Sequence, residues 1–285
     1  WLGRLEEAER FIRKALRISV QHKLIRVQAL CRRNLGVVLC NLHRLEESEA
    51  VLKEALEFYQ SSGDRRSYSS NLGLLGEVLL NLERPAETRA LIAESLNVAT
   101  ALNDLLVLGL VRGLQGRLAL DSGAPELAID HLTESLPLLT GWSVGQAIHQ
   151  TNLAMAYLAS EHFSEASSCL GEALEVLSGD RNRQARVLAL SVRTVLLVRT
   201  MKPEEAEASA EEVRTLARHF GPIESAMSDF CTEMTQSHAW EPVARTSVPQ
   251  LERSVDLRLL FRSAGRGVVE SSTQPLSPDP RGDDR

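Results

Sequence analysis

Arg4-Leu5-Glu6-Glu7-Ala8 is followed forty residues later by Arg44-Leu45-Glu46-Glu47-Ser48, and the phrase returns near the end as Lys202-Pro203-Glu204-Glu205-Ala206. Between them stand Arg84-Pro85-Ala86-Glu87-Thr88, Ala124-Pro125-Glu126-Leu127-Ala128 and His162-Phe163-Ser164-Glu165-Ala166. The period is 40 throughout except for 38 between the fourth and fifth copies, which points to a shortened turn there. Eleven residues after each start comes a small-plus-Leu pair: Ala15-Leu16, Ala55-Leu56, Ser95-Leu96, Ser135-Leu136 and Ala173-Leu174, with Val213-Arg214 as a drifted last copy. Eight residues before each later start lies a second landmark: Gly36, Gly76, Gly116, Ala154 and Thr194. Two landmarks held over this period are the signature of a stacked supersecondary unit.

The units read as helical. Val27, Leu30, Cys31, Leu35, Val38 and Leu42 recur three and four apart, as do Leu45, Val51, Leu52, Leu56 and Phe58. Ser62-Gly63-Asp64, Asn103-Asp104 and Ser178-Gly179-Asp180 break the pattern where a second helix should end. Pro85, Pro125 and Pro203 sit at the first turn of that second helix, where a missing amide proton costs nothing. Each unit is therefore expected to be an antiparallel pair, helix A then helix B. The small A residues fall twelve before Ser48, Thr88, Ala128, Ala166 and Ala206, so small-against-small contact would let the two backbones approach closely.

A Leu-Gly on helix A, a small residue twelve on, an apolar residue four later (Leu52, Ile92, Leu132, Leu170) and Ala or Ser three beyond that resemble the tetratricopeptide repeat. The long period and the Gly-Asp and Asn-Asp turns are similar to its longer subclass, found in kinesin light chains and in the sensor arms of maltose-regulator-like proteins. The Trp common in helix A is replaced by Arg32, Leu72, Arg112, Gln150 and Leu190, and the usual Pro after helix B is missing. The resemblance implies an all-α, right-handed alpha-alpha superhelix. It predicts an array over residues 1–240: a lone helix over 4–20, pairs over about 24–62, 66–102, 105–140, 143–178 and 182–220, and a capping helix over about 223–239. Residues 241–285, rich in Pro, Ser, Arg and Asp, read as a mostly disordered tail. Within that tail Leu251 to Phe261 is amphipathic and open to folding back or docking, and Arg281-Gly282-Asp283 reads as a coincidental tripeptide.

Composition agrees with a helical array: 44% hydrophobic, 25% charged and only 4% aromatic. A net charge of -6 does not suit a nucleic-acid surface. Cys31, Cys40, Cys169 and Cys231 form no Cys-x-x-Cys pair, so they read as free thiols rather than metal ligands or disulfides. No apolar run is long enough to span a bilayer and no leader is visible, giving the expectation of a cytoplasmic chain without membrane contact. Trp1 aligns with Asn41 and Asn81, so the register opens in mid-unit. That predicts a partly exposed apolar face on the first helix, including some of Leu5, Ala8, Phe11, Ile12 and Leu16, with either further sequence and an effector domain upstream or a face that docks on another chain.

The seven histidines are scattered, and no phosphate loop or nucleophile elbow appears, so the expectation is a non-catalytic chain with no cofactor and no metal. Binding is what remains. Successive A helices build the inner wall of such a superhelix. By register that wall carries Arg33, Val37 and Asn41; Glu77, Leu80 and Asn81; Arg117, Leu120 and Asp121; Thr151, Met155 and Leu158; then Ser191, Val195 and Arg199. Asn34 and Asn152 match the position whose Asn, in related arrays, bonds the backbone of a bound extended peptide. The leading expectation is a protein- or peptide-binding scaffold, the interaction or sensor arm of a regulator. The alternative is a small-ligand receptor arm controlling an attached kinase, ATPase or DNA-binding domain, which a deep pocket at Met155 and Leu158 would favour.

Overall fold

The computed structural model describes residues 5–178, 183–217 and 222–236. Trp1 to Arg4, the Gly179-Asp180 turn, His219, Trp240, the Leu251 to Phe261 stretch and the Arg-Gly-Asp tripeptide lie outside the described residues. Among the described residues twelve α-helices follow one another: α1 Leu5–Gln21, α2 Ile25–Asn41, α3 Leu45–Ser62, α4 Arg65–Asn81, α5 Pro85–Leu102, α6 Leu105–Asp121, α7 Pro125–Ser135, α8 Ser143–Ala159, α9 Phe163–Val176, α10 Arg183–Arg199, α11 Pro203–Ala217 and α12 Pro222–Gln236. There is no strand among them. From α2 to α10 each even-numbered helix packs on the odd-numbered one that follows it and on the unit before. This is the all-α solenoid of antiparallel pairs that the register predicts, with helices A being α2, α4, α6, α8 and α10.

Local chemistry explains the boundaries. Pro85, Pro125 and Pro203 each open their helix. Asp64 and Asp104 cap α4 and α6, accepting from the amides of Ser67 and Val107 at 3.1 and 3.2 Å. Between A and B all five turns take the same form. The residue after the C-cap is left-handed (His43, Glu83, Gly123, Glu161, Met201), and the next amide reaches back five residues, as Arg44 does to Leu39 at 2.9 Å. The shortened unit departs from the rest at its B helix rather than at a simple turn. Pro137 has no amide proton to continue the helix, so α7 gives way to a 3-10 turn, Leu136–Leu139, before α8 begins.

The glycine landmark has a cause more specific than small against small. A Cβ on Gly36 would lie 2.5 Å from Leu52 Cγ, and one on Gly116 would lie 2.5 Å from Leu132 Cγ. The glycine makes room for the apolar residue sixteen positions on. Ser48, twelve on, instead donates its hydroxyl to the Gly36 carbonyl at 2.7 Å. Gly76 is looser, its nearest neighbour being Leu114 Cδ2 at 3.0 Å.

The recurring arginine also acquires a role. Arg44 bonds Glu47 on its own helix at 2.6 Å and reaches Glu9 of the preceding B helix at 2.8 Å; Arg84 repeats this with Glu87 and Glu49. Burial pushes the Glu9 and Glu49 carboxyls up, but their cationic neighbours together outweigh it and hold both below the ordinary carboxylate value. Ala124 has lost the link, and the partner position on the preceding B helix is Arg89.

At the first helix, where part of the apolar face was expected to be open, Ala8 and Ile12 are buried against α2, and Leu5 and Leu16 are half-buried. Phe11 alone of that set is open, at 70%. Exposure continues instead through Leu24, Ile25, Val27 and Leu30, so Val27 and Leu30 do not share the buried face of Cys31 and Leu35. At the other end α12 packs on α10 and α11, with Met227 and Cys231 against Val187, Leu190 and Val213. It takes the place of a further A helix.

Candidate functional site

Helices stacked with a constant small rotation leave a concave side lined by their A members. Here a groove of about 660 Å³ runs from Arg33 on α2, across α4, α6 and α8, to Leu188 on α10 and Met227 on α12. Its floor is apolar at Leu74, Leu110, Leu114 and Ile148. Two rings sit on two glycines in it. A Cβ on Gly113 would lie 2.1 Å from His149 Cε1, and one on Gly145 would lie 2.1 Å from Trp142 Cε3, so only glycine lets these rings lie against the helices.

Seven of the residues expected to face the ligand line this groove: Arg33, Glu77, Leu80, Asn81, Arg117, Asp121 and Asn152. The arginines are engaged between neighbouring A helices. Arg117 donates to Glu77 at 3.0 Å and to the Asn81 carbonyl oxygen at 3.0 Å, and Arg33 donates to Ser70 at 3.1 Å. Asn81 in turn points its amide at Cys40, whose thiol is pushed up to about 12, first by burial and then by Glu77. These pairs fix the guanidinium groups at the groove edge, where a second acceptor could still meet them.

The others, Leu120, Leu158, Ser191 and Val195 among them, do not line it. Asn34 and Val37 are half-buried beside it, and exposed Asn41 turns its amide back onto the Val37 carbonyl at 2.8 Å. Arg199 is engaged by the Leu158 carbonyl at 2.9 Å and by Glu161, and it lies 5.3 Å above the Phe163 ring. Thr151 and Met155 are 1% and 2% exposed, with Met155 packed among Leu158, Leu170 and Leu196. The deep pocket imagined at Met155 and Leu158 is therefore occupied by the core itself.

His149 and Trp142 are the lining residues that sequence reasoning passed over. His149 is buried, and its Nδ1 lies 2.9 Å from the Ser135 hydroxyl, which also bonds the Leu132 carbonyl at 2.6 Å. Burial, with Arg117 second, pushes this imidazole down to about 4, so it is neutral at physiological pH. A histidine opposite a glycine one unit earlier was the available signal. Among the described residues no group of three or more His, Cys, Asp or Glu is placed to hold a metal ion. No described helix is long and apolar enough to cross a membrane.

The tetratricopeptide repeat family matches residues 28–62, which fall in α2 and α3. Among solved structures, BtubC (BKLC) from P. vanneervenii is similar with a TM-score of 0.54 and 13% identity, over 99% of this chain and 97% of that one. A putative kinesin light chain of Podosopora anserina with nearly identical TPR-like repeats has a TM-score of 0.49 and 14% identity, over 65% of this chain and 92% of that one. The TPR2AB domain of yeast Sti1, in complex with pHSP90, has a TM-score of 0.36 and 15% identity, over 82% of this chain and 91% of that one. At 13% identity the likeness to BtubC speaks to the fold, and the fold is that of stacked tetratricopeptide-type repeats. No curated protein matches the sequence.

Proposed function

We propose that this chain is a non-catalytic scaffold that holds an extended peptide segment of a partner protein in its concave groove, as the interaction or sensor arm of a regulatory protein. The observation that carries this reading is the continuity of the groove, which passes along successive A-type helices from Arg33 to Met227 and keeps an apolar floor between paired polar edges. An extended peptide presents alternating side chains and unsatisfied backbone groups, and such a trough offers both apolar contact and hydrogen-bonding partners. A compact small ligand prefers an enclosed pocket, and the place where one was expected is filled by Met155 and Leu158.

The test is selection of random dodecapeptides on the intact chain, followed by affinity measurement against a Leu110→Arg variant. Leu110 is half-buried in the groove floor, and a charge there should cost selected peptides at least about tenfold in Kd, the equivalent of about 1.4 kcal/mol. A Glu46→Lys change on the exposed face of α3 should leave them unaltered. Peptides indifferent to Leu110→Arg would place binding elsewhere.

A further inference from the structure

Asn152 is 4% exposed and lines the groove, yet its amide has no hydrogen-bond partner among the described residues. Its amide is not among the fully buried polar atoms, so its free hydrogen-bonding capacity opens on the groove, where a bound group could meet it. Three positions earlier, on the same face of α8, stands His149, 7% exposed and lining the same groove. The shorter of the two Ser135 contacts, 2.6 Å to a carbonyl that can only accept, assigns the hydrogen-bond sense there. Ser135 gives its only proton to the Leu132 carbonyl and so accepts from His149 Nδ1. The neutral ring then carries its one proton on Nδ1 and leaves Nε2 as an acceptor, without a partner among the described residues.

We infer that this end of the groove, between α6 and α8, is a subsite for an uncharged carboxamide side chain, a Gln or Asn of the bound peptide. The inference rests on the peptide reading of the groove. A carboxamide NH2 donates to Nε2 while its oxygen accepts from the Asn152 amide, so each group facing the groove is answered. A carboxylate brings only acceptors and would set a lone pair against Nε2. An ammonium would meet Arg117, the α6 charge felt at His149. The groove residues of α8 (Gly145, Ile148, His149, Asn152) include no acid, and Asp121 of α6 lies eight residues beyond the Gly113 on which His149 sits. The pair belongs to this unit alone. The positions equivalent to His149 are Cys31, Asn71, Val111 and Ala189, and those equivalent to Asn152 are Asn34, Leu74, Leu114 and Val192.

Those equivalents supply the variants, Asn152→Leu and His149→Val, each checked for retained helicity and cooperative unfolding. In the dodecapeptides selected on the intact chain, one fixed position should hold Gln or Asn, and its Gln→Glu or Gln→Lys replacement should weaken binding at least about tenfold. Asn152→Leu should reduce that discrimination to about twofold or less, and His149→Val should do the same if it folds. Groove-bound peptides that make no distinction between Gln and Glu, or that keep it in Asn152→Leu, overturn the carboxamide subsite while leaving the groove intact. Peptides that bind but ignore Leu110→Arg overturn both readings.

Discussion

Helices α2, α4 and α6 turn polar side chains toward the groove and join one another through them, whereas α8 and α10 bury the equivalent positions. In the first set Arg33 meets Ser70, and Arg117 meets Glu77 and Asn81. In the second, Thr151, Met155, Ser191 and Val195 are each 2% exposed or less. The same register position is thus wall in one half and core in the other. The cause is the neighbour: α12 packs on the α10 side chains Val187 and Leu190, and Leu196 of α10 joins Met155 of α8 in one cluster. The first half lines the groove with glycine and with charges that stay hydrated at the edge; in the second half these register positions go to packing, and Ile148, His149, Asn152 and Leu188 line it instead.

The largest expected effect would break the likeness between units. Gly116 and Gly76 occupy one register position, but only Gly116 is pressed against a leucine branch point. Gly116→Leu should cost about 3 kcal/mol and Gly76→Leu about 1 kcal/mol, the two ends of the usual overpacking range. Urea melts giving equal costs would mean that the two junctions are not packed as described.

Next comes the boundary between the halves, at His149. Ser135→Ala strands the Nδ1 proton and should cost about 2 kcal/mol. The histidine itself sets a pH dependence. Its folded value, about 4, lies below the ordinary 6.5, so between these values the unfolded chain binds a proton that the folded chain refuses. The stability it contributes is complete above about pH 6.5 and is lost as pH falls toward 4, at no more than about 1.4 kcal/mol per pH unit. His149→Val should flatten that part of the stability profile relative to the parent; an unchanged slope would show that the imidazole is not held neutral.

The smallest effect sharpens the comparison on the outer helices. Arg44 and Arg84 link successive B helices, and the third junction, with Ala124 and Arg89, has no such link. Installing it with Ala124→Arg and Arg89→Glu should raise the urea midpoint slightly at low salt. The gain should vanish in molar salt, since exposed ion pairs are weak and screened. A gain that persists there would point to packing by the arginine stem instead.

Much of this was legible in the chain. Proline at helix starts, Asp caps and a strict period act within one unit, so Pro85, Asp64 and the glycine landmark could be read directly. What escaped depends on rotation between units. Asn81 and Arg199 hold the same register position, but whether each opens on the groove is set by the helix stacked beside it, which periodicity does not encode. Pro137 was visible, yet its effect on α7 needed the length of the shortened unit to be placed. His149 looked like one of several scattered histidines until Gly113 was found beneath it.

The left-handed turns carry a consequence for how the array folds. Four of the five A-to-B turns place His43, Glu83, Glu161 or Met201 where only glycine is at ease, at about 1–2 kcal/mol each. A solitary hairpin made of one unit has little more than the return bonds of the turn, such as Arg44 to Leu39, to set against that cost. Contact with the next unit must hold it shut, so the intrinsic term of each repeat is lowered while the interface term grows. Such a chain forms cooperatively between neighbours and yields as a block rather than fraying one hairpin at a time.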